Sequence, residues 1–237
     1  LVKREVIRVV TPGTLTNSQV LEESKNNYLM GIVYIDGVFG VSTVDVSTGD
    51  YLVTEVRNER SLLDEIYKFS PSELICNEAF YMSGIDLEDL KVRLNAVISA
   101  LENRFFSDDS CRRILREHFH VEHLEALGLA DYETGAIAAG AVLQYLYETQ
   151  KNTLEHLTRL TVYTTGQFMM LDTSTRRNLE LTETLREKQK RGTLLWVLDK
   201  TKTAMGARML RTLVEQPLIS REEILRRQNA IEELNMN

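Results

Sequence analysis

The dipeptide Asp36-Gly37 constrains the fold of this 237-residue chain more than any other feature of its sequence. It lies between two runs rich in β-branched and aromatic residues, 28–35 and 38–46. An Asp-Gly pair accepts the two positive φ angles of a type I′ turn, whose twist matches that of paired strands, so the runs are predicted to form an antiparallel hairpin. Residues 47–50 carry a second turn signal and 51–56 a third strand pattern, which makes a three-stranded meander. Ahead of it, Thr11-Pro12-Gly13-Thr14 reads as a turn, with Pro setting φ and Gly tolerating positive φ. Thr16 with Gln19 then forms a capping box for a short helix.

After the meander the pattern alternates. Residues 61–69 have helical spacing and stop at Ser70-Pro71, because the residue before a proline is pushed away from helical geometry. A short strand is expected at 73–76 and a polar-capped helix at 107–118. Residues 92–98 read as a strand, with a helix running on from Leu87 as the competing reading. Beyond Gly128 the strand signals fade. Ala136, Ala139, Val142, Leu143 and Leu146 recur at helical intervals, and helices are expected at 174–185, 194–198, 203–214 and 220–234. Ser220 and Glu223 give the last of these a capping box, and only 168–171 still resembles a strand. The fold class is therefore α/β followed by all-α, with a mixed sheet first. Residues 1–150 hold 13 Lys+Arg against 24 Asp+Glu, whereas 151–237 hold 15 against 11. That reversal places a domain boundary near residue 150.

Composition narrows the function. At 43% apolar residues the chain can build a sizeable core. The stretch 136–143 fits a buried helix, and no run of 18 apolar residues suggests a membrane span. The opening Leu-Val-Lys-Arg-Glu-Val has neither a signal-peptide core nor an initiator Met, so the expectation is a piece of a longer chain. Cys76 and Cys111 form no CxxC and are expected to be buried thiols in a reducing cytoplasm. A net charge of −7 argues against a free-standing nucleic-acid binder. The phosphate-cradling pattern G-x-x-x-x-G-K-[ST] does not occur, so no nucleotide cofactor is expected to bind here in that way.

Several clusters have two readings. His118, His120 and His123 with Glu122 have some metal-ligand character, but His118 and His120 would diverge on a helix, and polar surface histidines are the simpler reading. Asp36, Asp45 and Asp50 invite comparison with two-metal nucleases, yet Asp36 and Asp50 belong to turns and one strand carboxylate does not clamp two ions. Arg112 and Arg116 share a helix face, with Arg113 beside them, and this can be a solvated face. Arg186, Lys188, Lys190 and Arg191 can make nonspecific phosphate contacts, but no aromatic is interleaved for base stacking. Arg176 and Arg177, read at the start of a helix with Asn178 and Glu180, would oppose the helix dipole unless paired with acids. Trp196, among Leu194, Leu195 and Leu198, is expected in the core.

Three segments together resemble the MutS family of DNA mismatch repair proteins. The first is Arg8-Val-Val-Thr-Pro-Gly-Thr14. The second is Gly135-Ala-Ile-Ala-Ala-Gly-Ala-Val-Leu-Gln-Tyr-Leu146, continuing through Glu148-Thr149-Gln150. The third is Leu171-Asp172, Thr175-Arg-Arg-Asn-Leu-Glu-Leu-Thr182, Gly192-Thr-Leu-Leu195, Val197-Leu-Asp199 and Thr203-Ala-Met-Gly206, with Arg208, Leu210 and Arg211. The resemblance implies a tail of the mismatch-recognition domain over 1–14, an RNase H-like connector domain over 15–150, and the first helical part of the lever or core over 151–237. The region would be non-catalytic and cytoplasmic. It would relay between mismatch binding and an ATPase domain that holds ATP and magnesium elsewhere in the protein. Implied partners are a MutL-type protein, docking near Arg112, Arg113 and Arg116, and mismatched DNA and a second MutS subunit for the full-length protein. Arg176, Arg177, Asn178 and Glu180 would have a structural or signalling role. Apolar helix faces left uncovered in the second part could make this chain self-associate. The alternative is a stand-alone RNase H-like nuclease with a helical appendage.

Overall fold

A computed structural model describes residues 9–15, 26–150, 154–166, 168, 169, 171 and 173–236; the expected Thr16–Gln19 capping box lies outside them. The chain divides into two compact units, Leu1–Tyr163 and Thr164–Asn237.

In the first unit the meander forms as the turn signals require. Strands β1 (Leu29–Ile35), β2 (Val38–Asp45) and β3 (Asp50–Val56) pair antiparallel, in registers running from Ile35 opposite Val38 and from Asp45 opposite Asp50. Asp36 and Gly37 take φ of 47° and 81°, both positive as a type I′ turn demands. Helix α1 (Glu59–Phe69) starts where the Asn58 side chain accepts from the Ser61 amide, and ends with Ser70 in the left-handed region ahead of Pro71. Strand β4 (Glu73–Cys76) then adds parallel to β1. Helix α2 (Glu78–Tyr81) and helix α3 (Leu87–Leu94) follow, and strand β5 (Val97–Ala100) adds parallel to β4. Both readings of 92–98 were thus partly right: α3 runs to Leu94, Asn95 turns left-handed, and the strand begins at Val97.

Helix α4 (Asp108–Phe119) and the 18-residue helix α5 (Glu133–Gln150) complete the layers. A short strand the sequence did not announce, β6 (Thr161–Val162), pairs parallel to β3 and gives the order β5-β4-β1-β2-β3-β6. This mixed sheet with helices on it is the RNase H-like architecture of the expected connector. Side chains alternate between its faces. Leu29, Val44, Tyr51 and Val53 pack with α5 and Leu115 of α4. Met30, Ile32, Val41 and Leu74 pack with Leu62 and Ile66 of α1 and Leu90 of α3.

Helix α5 lies unusually close to the sheet. A Cβ on Gly40 would stand 2.2 Å from the Thr134 carbonyl oxygen, and one on Gly31 would stand 2.4 Å from Val142 Cγ2. Gly140 does the same for the helix pair, where a Cβ would lie 2.4 Å from Cys111 Cα. Tyr51, 1% exposed, donates its hydroxyl to the Ala139 carbonyl across this contact. Beyond α5, Leu154, Leu157 and Leu160 enter the same core. These leucines and β6 carry the first unit to Tyr163, so the charge reversal near residue 150 and the compact boundary do not coincide.

The second unit contains α6 (Thr173–Asn178), α7 (Leu194–Leu198), α8 (Ala204–Glu215) and α9 (Arg221–Met236). The helix expected over 174–185 ends at Asn178, and Glu180 has φ of 46°, which stops it. The strand expected at 168–171 is reduced to one bridge between Phe168 and Leu218. Trp196 is 47% exposed rather than buried, because in the five-residue α7 only Leu195 is buried. In this unit the buried residues among those described are Leu181, Thr193 and Leu195, and α8 and α9 bury none.

His118 holds the chain after α5 to α4. Its Nε2 lies 2.8 Å from the Leu157 carbonyl, which can only accept, so Nε2 carries the proton and Nδ1 accepts from the Tyr147 hydroxyl at 2.7 Å. Burial, with the nearby His120 and His156, outweighs the Leu157 hydrogen bond and lowers the His118 pKa below its usual 6.5.

Gly40→Ala should lower the urea-unfolding free energy by about 1–3 kcal/mol, since the obstructing atom is backbone. Gly37→Asn should cost less, because nothing lies within 4 Å of a Cβ there and Asn tolerates the positive φ of 81° better than other side chains. A folded histidine with a lowered pKa binds fewer protons than the unfolded one. Its contribution is therefore complete above pH 6.5 and is lost as pH falls from there toward the folded value; stability measured from about pH 7 to 5 should fall less steeply in His118→Gln. Limited trypsin digestion should cut at exposed Arg177, Arg186, Lys188 and Arg191 before any site within the sheet, because the second unit buries so little.

Candidate functional site

Helix α4 has two faces with different duties. Its inner face buries Cys111 and Leu115 against α5. The Cys111 thiol donates to the Phe105 carbonyl at 3.1 Å, and burial pushes its pKa up to about 12. Cys76 is likewise raised to about 12 by burial. Both cysteines are buried and free, with thiols held protonated. Asp108 and Asp109 sit in the first turn of α4, where carboxylates suit the helix dipole, and His120 ends it in the left-handed region.

The three arginines on the outer side of α4 are not equivalent. Arg112 is committed to Asp108, Nε to Oδ1 at 2.7 Å, one turn away. Arg113 and Arg116 are exposed, and the Arg116 Nε reaches the Arg112 carbonyl at 3.4 Å. Residues 113 and 116 are three apart, so they also share a face, and together they present two cations on a rigid, well-packed helix. Sequence spacing had paired Arg112 with Arg116; the Asp108 contact removes one member of that pair.

In the second unit, Arg176 and Arg177 lie in the last turn of α6, not at a helix start. There they favour the dipole instead of opposing it, which corrects the expected conflict. Arg176 is half-buried, its Nε donating to the Leu171 carbonyl at 3.0 Å; burial lowers its pKa while Glu215 acts in the opposite sense. Arg177 and Asn178 are exposed. Glu180 holds the following turn: its Oε1 accepts from the Leu185 amide at 2.7 Å, and its carbonyl accepts from Leu194. In the basic run, Lys190 is paired with Asp199, whereas Arg186, Lys188 and Arg191 are exposed.

The remaining candidates do not converge. Asp45 is fully buried in β2, but one carboxylate oxygen accepts from the Ser47 amide and hydroxyl and the other from the Asn27 amide. Asp36 sits in the hairpin turn, and Asp50 accepts from Thr48. His118 has its two hydrogen bonds, while His120 and His123 are exposed. Among the described residues no three His, Cys, Asp or Glu side chains come together as a ligand set. No described helix is long and apolar enough to cross a membrane.

Comparison with known proteins agrees with the order of these units. Residues 27–158 match the model for MutS domain II, and residues 174–237 match that for MutS domain III. The DNA mismatch repair protein MutS of Lachnoclostridium phytofermentans is 61% identical over 237 residues, 100% of this chain and 25% of that protein. The MutS of Ruminiclostridium cellulolyticum is 45% identical over 99% of this chain and 27% of its own length. That of Acetivibrio thermocellus is 45% identical over 98% and 27%. The chain thus spans about a quarter of the length of these curated relatives. A connector-type α/β unit and a helical unit, matched in sequence to domains II and III, place this chain in the MutS family of DNA mismatch repair proteins.

Proposed function

We propose that the chain is the non-catalytic connector and first lever segment of a cytoplasmic mismatch repair protein, and that it relays between mismatch binding and an ATPase domain elsewhere in that protein. The observation that carries the reading is the match to domains II and III in order, over a quarter of relatives that are each a DNA mismatch repair protein MutS. ATP, magnesium, mismatched DNA and a second subunit belong in this reading to the full-length protein. The largely uncovered α8 and α9, with Met205, Met209, Ile231 and Leu234 exposed, fit helices that other parts of such a protein cover. The nuclease alternative is disfavoured by Asp45, whose carboxylate is occupied by backbone and hydroxyl donors of its own turn and of Asn27.

The outer face of α4 is the proposed docking surface for a MutL-type protein. The support is physical: Arg113 and Arg116 are exposed, and the helix carrying them is locked to α5 at Gly140, so the cations are presented on a backbone that needs no further ordering. The Arg113→Glu, Arg116→Glu double variant of the full-length protein should bind MutL about tenfold more weakly, with altered salt dependence and unchanged affinity for mismatched DNA. MutL binding equal to the parent's would place the docking surface elsewhere.

A further inference from the structure

Glu73 is the first residue of β4 and is 2% exposed, a costly place for a carboxylate. Three donors surround it. The Thr11 hydroxyl and the Gly13 amide reach Oε2 at 2.5 and 2.9 Å, and the Tyr145 hydroxyl of α5 reaches Oε1 at 2.6 Å. Two of these donors come from the leading segment, residues 9–15. The fit leaves no room for a side chain at position 13: a Cβ there would stand 2.8 Å from Glu73 Cβ and 2.9 Å from Leu29 Cβ.

The same segment is held on both sides of this contact. The Val9 amide donates to the Thr149 carbonyl in the last turn of α5 at 2.8 Å. The Asn27 side-chain amide donates to the Pro12 carbonyl at 2.8 Å, and Ser72, next to Glu73, donates to the Asn27 side chain at 2.6 Å. Peeling the segment away would strip two of the three donors from a buried carboxylate and leave the penalty of an under-satisfied charge. The segment is therefore tied to β4 and α5 by a cost that falls on one side chain.

We propose that Glu73 is the latch of a conformational device, clamping the leading segment Val9–Leu15 onto both the start of β4 and the C-terminal half of α5 so that the three shift as one body. A displacement of the segment at Val9 then reaches the end of α5 directly through Thr149 and, by way of Glu73, through Tyr145. This rests on geometry within the first unit and does not depend on the docking surface proposed for α4.

Hydrogen exchange on the 237-residue chain tests it. The Val9 amide does not touch Glu73, so it reports the clamp rather than the lost bond itself. Glu73→Gln, which removes the charge and one of the two acceptor oxygens that three donors share, should speed exchange at Val9 at least tenfold. Val33 and Val41 in the paired strands should keep their protection. Tyr145→Phe, which removes only the α5 side of the latch, should also speed Val9 exchange, and it decides the matter if Glu73→Gln does not fold. Parental protection at Val9 in the folded variants would overturn the latch, as would a matching loss of protection at Val33 and Val41, which would make Glu73 an ordinary part of the core.

Discussion

The first unit depends on a close approach of backbone to backbone. Helix α5 can sit on β1 and β2 only because Gly31 and Gly40 present no Cβ beneath it, and α4 can sit on α5 only because Gly140 presents none to Cys111. Dispersion falls off steeply with separation, so a helix lowered by the width of a methyl group gains contact along its whole length. The consequence is visible in α5 itself, where the run from Thr134 to Leu143 is buried without a break. The Tyr51 hydroxyl, donating to Ala139, is a polar group that the same closeness makes satisfiable; farther apart it would be a buried orphan.

What was legible in the sequence was what is decided locally. The Asp36-Gly37 turn, the Ser70-Pro71 stop and the Ser220 cap, whose hydroxyl accepts from the Glu223 amide, depend on dihedral preferences and hydrogen bonds within four residues. So do the strands those turns delimit. The meander, the alternation and the helical second part could therefore be read off, and with them the fold class. Strand β6 could not: Thr161 and Val162 are held by β3, more than a hundred residues earlier, and two residues carry no period of their own. The helix expected over 174–185 failed for a related reason. Leu181 is buried outside any helix, with its carbonyl accepting from the Leu195 amide fourteen residues later, so its partner is not within a helical turn. Trp196 misled because apolar neighbours in sequence were taken for apolar neighbours in space; in a helix barely one turn long they point in different directions.

The candidate site was legible as a cluster but not as a geometry. Spacing alone favoured Arg112 with Arg116, yet which arginine is available depends on Asp108, an acid one turn earlier that serves the helix dipole as well. The same local pairing recurs at Lys190 with Asp199 in the second unit, where a basic run in the sequence becomes a smaller set of accessible cations. A charge count measures a region's potential at long range, where screening already weakens it; the contacts a partner meets are the charges that no neighbour has taken.

The two units also differ in where their stability comes from. The first encloses core clusters on both sheet faces, and burying a single large apolar side chain there contributes about 1.5–3 kcal/mol. In the second, Leu181 and Leu195 are the buried apolar residues among those described, and about half the surface of Leu194, Trp196 and Leu198 meets solvent. Ordering each residue costs about 1–2 kcal/mol of backbone entropy, so caps and turns such as those at Thr193, Thr203 and Glu180 cannot alone hold a unit of this size rigid. Its helices have strong local signals and a weak shared core. Such elements keep their secondary structure while their packing is decided by whatever covers them, and that combination suits a segment proposed to transmit movement rather than to resist it.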